Sequence, residues 1–259
     1  MQGIDRLYAL SKRNVILRYK SSLIGFFWGF FKPLLYLLIF VVIFSSQFNS
    51  VNNYVLYATS GLIFWFFFAN VTNQSTANII ASSGLIKSLN IPVILFPLAE
   101  IIGEIFNLLL SLVVFFILMY WFGLHYDVKL LLIVPCVILF GFFTFGVTLL
   151  LSSLNVFFRD IGILWGTVQP ALFYLTPIAY PETLIPPHYR LIIKCNPVYY
   201  FIKLIRPAAF WATMHITETK LFNLLKTGVL CWETIVELPN SEFVTHTPSV
   251  LHYLRVVKG

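Results

Sequence analysis

Charged side chains are scarce in this chain of 259 residues. Asp, Glu, Lys and Arg together make up 10% of the sequence, whereas a soluble domain carries about 25%. Hydrophobic residues make up 59% and aromatic residues 18%. This composition excludes an ordinary water-soluble enzyme and predicts a protein that lies mostly within a membrane.

Cysteine and histidine are also few, and neither forms a ligand pattern. Cys136, Cys195 and Cys231 show no C-x-x-C spacing, and the five histidines show no H-E-x-x-H or related spacing. The glycine-containing stretch 141–148 has Val147 where a phosphate-binding loop needs lysine. We therefore predict no metal site, no catalytic residues and no cofactor bound by this chain.

Long stretches without charge divide the sequence. Residues 33–86 contain no Asp, Glu, Lys, Arg or His, and about 20 apolar residues suffice for one helical bilayer crossing. The long apolar runs lack the alternation of a barrel, so we predict an all-α polytopic helical bundle. Five spans are readable, at residues 33–48, 54–71, 98–122, 130–154 and 161–174.

The basic residues predict the orientation of the chain. The first 32 residues contain six Lys or Arg and one acid, Asp5, which by the positive-inside rule keeps the N-terminus in the cytoplasm. Residues 1–22 form an amphipathic pattern, with Arg6 and Arg13 on one arc of a helix and Leu7 and Leu10 on the other. This interfacial helix is either an anchor on anionic lipid or a docking surface for a cytoplasmic partner. The net charge of +7 follows from this flanking pattern, so no nucleic-acid partner is predicted.

The last two segments differ from the spans. Residues 177–207 contain six prolines among aromatic and basic residues, and we interpret them as an external re-entrant segment of short helices. Residues 1–210 therefore form the predicted transmembrane domain. Residues 211–259 are a tail in which charges interrupt every apolar stretch, so no sixth span is readable there.

Two groups of residues within the spans are candidates for function. Glu100 and Glu104 lie one helical turn apart and share a face, either as a proton relay or substrate contact, or as acids favoured by a helix N-terminus. Aromatic rings offer stacking faces to a polar sugar chain, although lipid and helix packing explain most of the Phe residues equally well. The candidate path residues are Tyr36, Trp65, Trp165 and Tyr174.

Several short strings, taken in order, resemble the polysaccharide and polyol-phosphate export permeases of the ABC transporter superfamily, which include O-antigen, capsule and teichoic acid exporters. The resemblance covers about residues 5–210. The strings are RYKSSLIGFFW at 18–28, KPL at 32–34, GLIFWFF at 61–67, the stretch 78–97, NVFFRD at 155–160, TPI at 176–178 and NP at 196–197.

This resemblance implies a homodimeric permease in a bacterial or archaeal inner or plasma membrane. Two copies would enclose a path for a lipid-linked glycan, and two copies of a separate ATPase, which bind ATP and Mg, would drive export. The family normally ends with a sixth span, so residues 211–259 depart from it by divergence, by truncation or by a change of reading frame. The residues that the resemblance implies for coupling to the ATPase are Arg13, Arg18, Tyr19, Lys20, Leu85, Lys87, Arg159 and Asp160.

Two other functions remain open at this point. A secondary transporter would use Glu100 and Glu104 for proton coupling, and would continue to export after its ATPase partner was inactivated. A membrane glycosyl or phosphoglycosyl transferase would form product as the purified chain alone. The exporter reading instead predicts that this chain makes and breaks no bond.

Overall fold

The computed structural model describes residues 2–19, 25–45, 53–89, 91–124 and 128–210. Within these ranges all regular structure is helical, which confirms the predicted all-α class. The α-helices are α1 (Gln2–Tyr19), α2 (Gly25–Phe44), α3 (Tyr54–Ala81), α4 (Ser83–Leu89), α5 (Leu95–Trp121), α6 (Ile133–Phe157), α7 (Asp160–Leu175), α8 (Arg190–Lys194) and α9 (Pro197–Phe210). The 3-10 helices are Val128–Leu132, Glu182–Leu184 and Pro187–Tyr189.

Three of the predicted spans coincide with helices that are long and apolar enough to cross a membrane. These are Tyr54–Ala81, Leu95–Trp121 and Leu130–Phe157. The first and fifth predicted spans coincide with the shorter helices α2 and α7, of 20 and 16 residues. The chain is therefore a multi-pass membrane protein by length and composition, and the number of five crossings stays a prediction.

Helix α3 is the centre of the bundle. In its most apolar window 83% of the residues are buried, against 44% for α5 and 33% for the Leu130–Phe157 helix, and α3 contacts α2, α5, α6, α7 and α9. Its Phe68 ring stacks on Phe143 of α6 at 6.0 Å between centroids, and Phe143 lies 4.6 Å from Phe201 of α9. Because hydrocarbon is as apolar as these rings, close packing rather than escape from water holds them together.

The length of α3 differs from the sequence prediction. The second span was predicted to end near residue 71, because polar residues follow, but the helix continues for another ten residues to Ala81. Thr72, Ser75 and Thr76 are buried, and the hydroxyls of Thr72 and Thr76 donate to carbonyls one turn earlier, at 2.8 and 2.6 Å. The helix therefore accommodates these polar side chains inside the protein.

The segment after α7 folds back over the start of α3. Ile178, Ala179 and Ile185 are buried there, and the short helices α8 and α9 follow where residues 177–207 were predicted to form short helices. The depth of this segment in a membrane stays a prediction. Residue Lys20 and the tail 211–259 lie outside the described residues, as do the side chains of Arg18 and Tyr19.

Candidate functional site

The bundle has two chemically different ends. We call one the α4 end; it comprises α1, α4, the start of α5 and the α6–α7 turn at residues 155–160. We call the other the α9 end; it comprises the start of α3, residues 176–185, α8 and α9. The two ends are joined by α3, whose 28 residues extend about 42 Å at 1.5 Å per residue.

Glu100 and Glu104 lie in a buried polar cluster at the α4 end. One carboxylate oxygen of Glu100 accepts hydrogen bonds from the side-chain amides of Asn14 at 3.0 Å and Asn78 at 2.8 Å. The two oxygens of Glu104 accept from Gln74 at 3.2 Å and Asn107 at 3.1 Å. The exposed fractions are 7% for Glu100 and 2% for Glu104. Buried carboxylates need such donors, so this cluster ties α1, α3 and α5 together and favours a structural role over a proton relay.

Helix α1 lies against the protein through its apolar arc. Leu7 and Leu10 pack against Ile91, Phe96 and Ala99, and Leu85 of α4 joins the same cluster. The cations of the opposite arc, including Arg13, are exposed. Of the predicted coupling residues at this end, Leu85 is half-buried, while Lys87, Arg159 and Asp160 are exposed. The α4 end therefore presents a predominantly basic surface on a rigid apolar base.

The α6–α7 turn is fixed by Asn155, a role that sequence reasoning missed. The side-chain amide of Asn155 donates to the Thr76 carbonyl of α3 at 2.8 Å, and its oxygen accepts from the Gly162 amide at 2.9 Å. Arg159, at the N-cap of α7, makes no side-chain cap, so Asn155 supplies the acceptor that the first turn needs. One buried amide thus connects α6, α3 and α7.

A cavity of about 550 Å³ opens beside this turn. Its walls come from the end of α3, α4, the start of α5 and the end of α6, and two predicted coupling residues, Lys87 and Arg159, line it. The structure thus brings together two cations that are 72 positions apart in the sequence. The cavity is open at the surface rather than enclosed within the bundle, since the Ile94 and Phe157 side chains that line it are 51% and 39% exposed.

The α9 end is held by tyrosines of α3. Tyr54 donates to the Ala179 carbonyl at 2.7 Å and Tyr57 to the Tyr180 carbonyl at 3.1 Å. The Arg206 guanidinium lies 3.8 Å from the centroid of the Tyr57 ring and donates to the Tyr57 hydroxyl and to the Ile178 carbonyl. These bonds fasten the returning segment to α3, and none of them was predicted from the sequence.

A second basic group lies at the α9 end. The Lys203 ammonium donates to Glu182 at 2.8 Å and to the Tyr199 hydroxyl at 2.7 Å. Burial alone would lower the pKa of Lys203, but these two hydrogen bonds and the Glu182 charge outweigh it and raise the pKa. Arg190 and Lys194 border the same hollow of about 300 Å³.

Three of the four predicted path aromatics meet around Phe173 of α7. Its ring centroid lies 6.5 Å from Tyr36, 5.5 Å from Trp65 and 5.2 Å from Tyr174. Tyr36 and Tyr174 are exposed, whereas Trp65 is buried. The fourth, Trp165, packs edge-on against Phe68 of α3 at 6.1 Å, and its indole nitrogen is buried without a partner among the described residues.

A polar pair joins α3 to α7. The side-chain amide of Asn73 on α3 donates to Gln169 on α7 at 2.6 Å. We use the name α2–α7 face for Tyr36, Asn73, Gln169 and Tyr174, which lie on α2, α3 and α7. Exposed amides are costly against lipid, so this face suits a water-filled or protein-covered surface better than a lipid-facing one.

Among the residues that the structure describes, no group of three or more His, Cys, Asp or Glu side chains is arranged to hold a metal ion. Cys136 is a buried free thiol and Cys195 an exposed one.

Comparison with known proteins identifies the family. Residues 5–210 match the ABC-2 type transporter family. The O-antigen export system permease protein RfbA of Klebsiella pneumoniae is 32% identical over 197 residues, which cover 75% of this chain and 76% of that protein. RfbA of Myxococcus xanthus is 26% identical over 74% and 75% of the two chains. The capsule polysaccharide export inner-membrane protein CtrC of Neisseria meningitidis serogroup A is 26% identical over 86% and 85%. This chain therefore belongs to the ABC-2 type transporter membrane family.

Proposed function

We propose that this chain is the membrane-spanning permease subunit of an ATP-driven exporter. Its substrate is a lipid-linked polysaccharide of the O-antigen or capsule type, which it moves from the cytoplasm across the inner membrane. Family membership supports the transporter class, and the relatives named for O-antigen and capsule export support the substrate class.

The α2–α7 face is the observation that carries the path of this substrate. Tyr36 and Tyr174 are exposed rings, and the Asn73–Gln169 pair adds amide hydrogen-bonding groups between them and the α4 end. Sugars stack on aromatic rings and bond to amides, while lipid disfavours exposed amides. Two copies of the chain with these faces opposed would enclose a path lined by both kinds of group.

The α4 end is the proposed docking surface for a separate ATPase, two copies of which would bind the ATP and Mg. The exposed residues Arg13, Lys87, Arg159 and Asp160 lie there. This arrangement supports a cytoplasmic N-terminus, because the ATPase and α1 then share a side. Rigid-body movement of α1 would reach α5 through the bond from Asn14 to Glu100, and movement of the α6–α7 turn would reach α3 through the bond from Asn155 to the Thr76 carbonyl.

The test uses the permease reconstituted in proteoliposomes with its ATPase and a lipid-linked polysaccharide. Export should require ATP hydrolysis. The double substitution Asn73→Leu with Gln169→Leu should lower the export rate about tenfold or more, because apolar side chains remove the hydrogen-bonding groups of the path.

The matched control is Val113→Leu, which changes an exposed apolar residue of α5 and should leave export unchanged. Equal export by the double variant and the wild type would contradict the proposed path. Export that persists with an ATPase unable to hydrolyse ATP, and is lost in Glu100→Gln, would contradict the proposed energy source.

A further inference from the structure

The cavity at the α4 end combines apolar walls with two cations. Ile80, Ile86 and Leu149 line it, together with Lys87 and Arg159. We infer that this cavity binds one anionic phospholipid of the surrounding membrane, with an acyl chain along the apolar wall and the phosphate between Lys87 and Arg159.

The size and shape of the cavity fit part of a lipid rather than an ion alone. Its volume of about 550 Å³ lies within the range of about 300–1,000 Å³ that small-molecule sites occupy. Ile94 and Phe157 line it and are exposed, so its apolar wall continues onto the surface of the long helices. An acyl chain can therefore enter from the membrane without crossing a polar barrier.

The charge of the cavity selects an anion. Lys87 and Arg159 come from different segments, and the lining contains no acidic side chain. Asp160 follows Arg159 in the sequence but is not part of the lining. The guanidinium of Arg159 suits a phosphate diester because it donates two parallel hydrogen bonds, and Ser83 of α4 also lines the cavity.

The position of the cavity favours a phospholipid over an acidic segment of another protein. It lies at the ends of α3 and α6, where long apolar helices leave the hydrocarbon, and basic pockets between membrane helices at this depth bind lipid headgroups. A protein segment would have to cover the exposed apolar side chains at the margin of the lipid. A phosphate bound by Lys87 and Arg159 would bridge α4 to the α6–α7 turn.

The experiment measures lipid retained by the intact permease, without the ATPase, by native mass spectrometry in mild detergent. After delipidation, phosphatidylglycerol or phosphatidylethanolamine is titrated back. The wild type should bind one phosphatidylglycerol in preference to phosphatidylethanolamine. Lys87→Gln with Arg159→Gln should weaken phosphatidylglycerol binding about tenfold to thirtyfold, as two cations near a phosphate predict.

Two further variants separate the site from general effects. Arg190→Gln with Lys194→Gln removes two exposed cations at the α9 end and should leave binding unchanged. Ser153→Phe fills the apolar part of the cavity without changing charge and should also weaken binding, while size-exclusion chromatography checks that each variant remains folded.

Three outcomes would overturn the inference. They are equal binding of the two lipids by the wild type, binding unchanged in the double variant of Lys87 and Arg159, and an equal loss of binding in the control variant of Arg190 and Lys194. Retention of a co-purified lipid-linked glycan in place of phosphatidylglycerol would assign the cavity to that glycan and not to phospholipid.

Discussion

Gly61 lies where α3, α9 and the returning segment meet most closely. A Cβ atom at this position would lie 2.9 Å from a guanidinium nitrogen of Arg206 and 2.9 Å from the Ile178 carbonyl oxygen. Backbone on one side and a bonded guanidinium on the other leave little freedom to move apart. The absence of a side chain at residue 61 is therefore a packing requirement.

Gly61→Ala should destabilise the protein by about 1–3 kcal/mol, the usual cost of overpacking. Thermal unfolding in detergent measures it. Gly141→Ala in α6 is the control, because a Cβ there meets nothing within 4 Å and alanine is a better helix former than glycine. Equal stability of the two variants would show that Gly61 is not closely packed in solution.

Lys203 gives a prediction about pH. Its pKa is raised above the ordinary 10.5 by the bonds to Glu182 and Tyr199, so its contribution to stability is complete below about pH 10.5 and falls as pH rises through the raised value. The Lys203 side chain is 39% exposed, so solvent screening limits the contribution to about 1 kcal/mol or less.

Lys203→Met should therefore lower the melting temperature by a nearly constant amount from about pH 6 to 9, because Lys203 stays charged throughout that range. Melting curves at several pH values test this. Arg190→Met, on α8 beside the same hollow, is the control for loss of a cation without an ion pair. A difference between Lys203→Met and the wild type that disappears already near pH 8 would contradict the raised pKa.

At the scale of helices, the sequence predicted where each long helix lies in the chain better than it predicted where each helix ends. The charge-free windows identify α5 and α6 because their apolar residues face both lipid and protein. The end of α3 was predicted too early because Thr72, Ser75 and Thr76 are polar, and polar residues usually mark the end of a membrane span. In the structure these three side chains are buried inside the protein. A local sequence pattern does not show which other helix will pack over a polar side chain and bury it.

The candidate functional site also could be predicted only where its residues are close together in the sequence. Arg159 and Asp160 are neighbours in the sequence, so a charged turn could be predicted there. The spacing of four residues likewise predicted that Glu100 and Glu104 share one face of a helix. The bond from Asn155 to Thr76 spans 79 positions, and the grouping of aromatics around Phe173 joins α2, α3 and α7. Such contacts depend on how helices pack, which one sequence does not specify.

Asn155 gives the prediction at this scale. Asn155→Ala removes the donor to the Thr76 carbonyl and leaves the Gly162 amide without its acceptor, which should cost about 1–3 kcal/mol. Thermal unfolding measures the loss, and the first turn of α7 should exchange amide hydrogens faster. Thr167→Val, which removes an exposed hydroxyl bonded within α7, should change neither. Unchanged exchange in Asn155→Ala would contradict its capping role.

For the whole molecule, the proposed transporter couples events at the α4 end to the path. Arg159→Ala should leave membrane insertion and ATP hydrolysis by the partner intact but lower the polysaccharide exported per ATP. The physical reason is that Arg159 directly precedes α7, the helix that contributes Gln169 and Tyr174 to the α2–α7 face. Parallel assays of hydrolysis and export in proteoliposomes measure the ratio, and Arg190→Ala at the α9 end is the control. Normal export per ATP in Arg159→Ala would exclude the turn from coupling.

The double attachment of α3 restricts how the protein changes shape. Tyr54 and Tyr57 hold one terminus of this helix, Gln74 and Asn78 hold the other, and the stretch between is enclosed on nearly every side. Helix α3 therefore cannot slide along its own axis relative to its neighbours without breaking hydrogen bonds at both of its ends. In the proposed transporter, a path beside α3 would therefore widen by tilting of the outer helices α2 and α7 relative to α3.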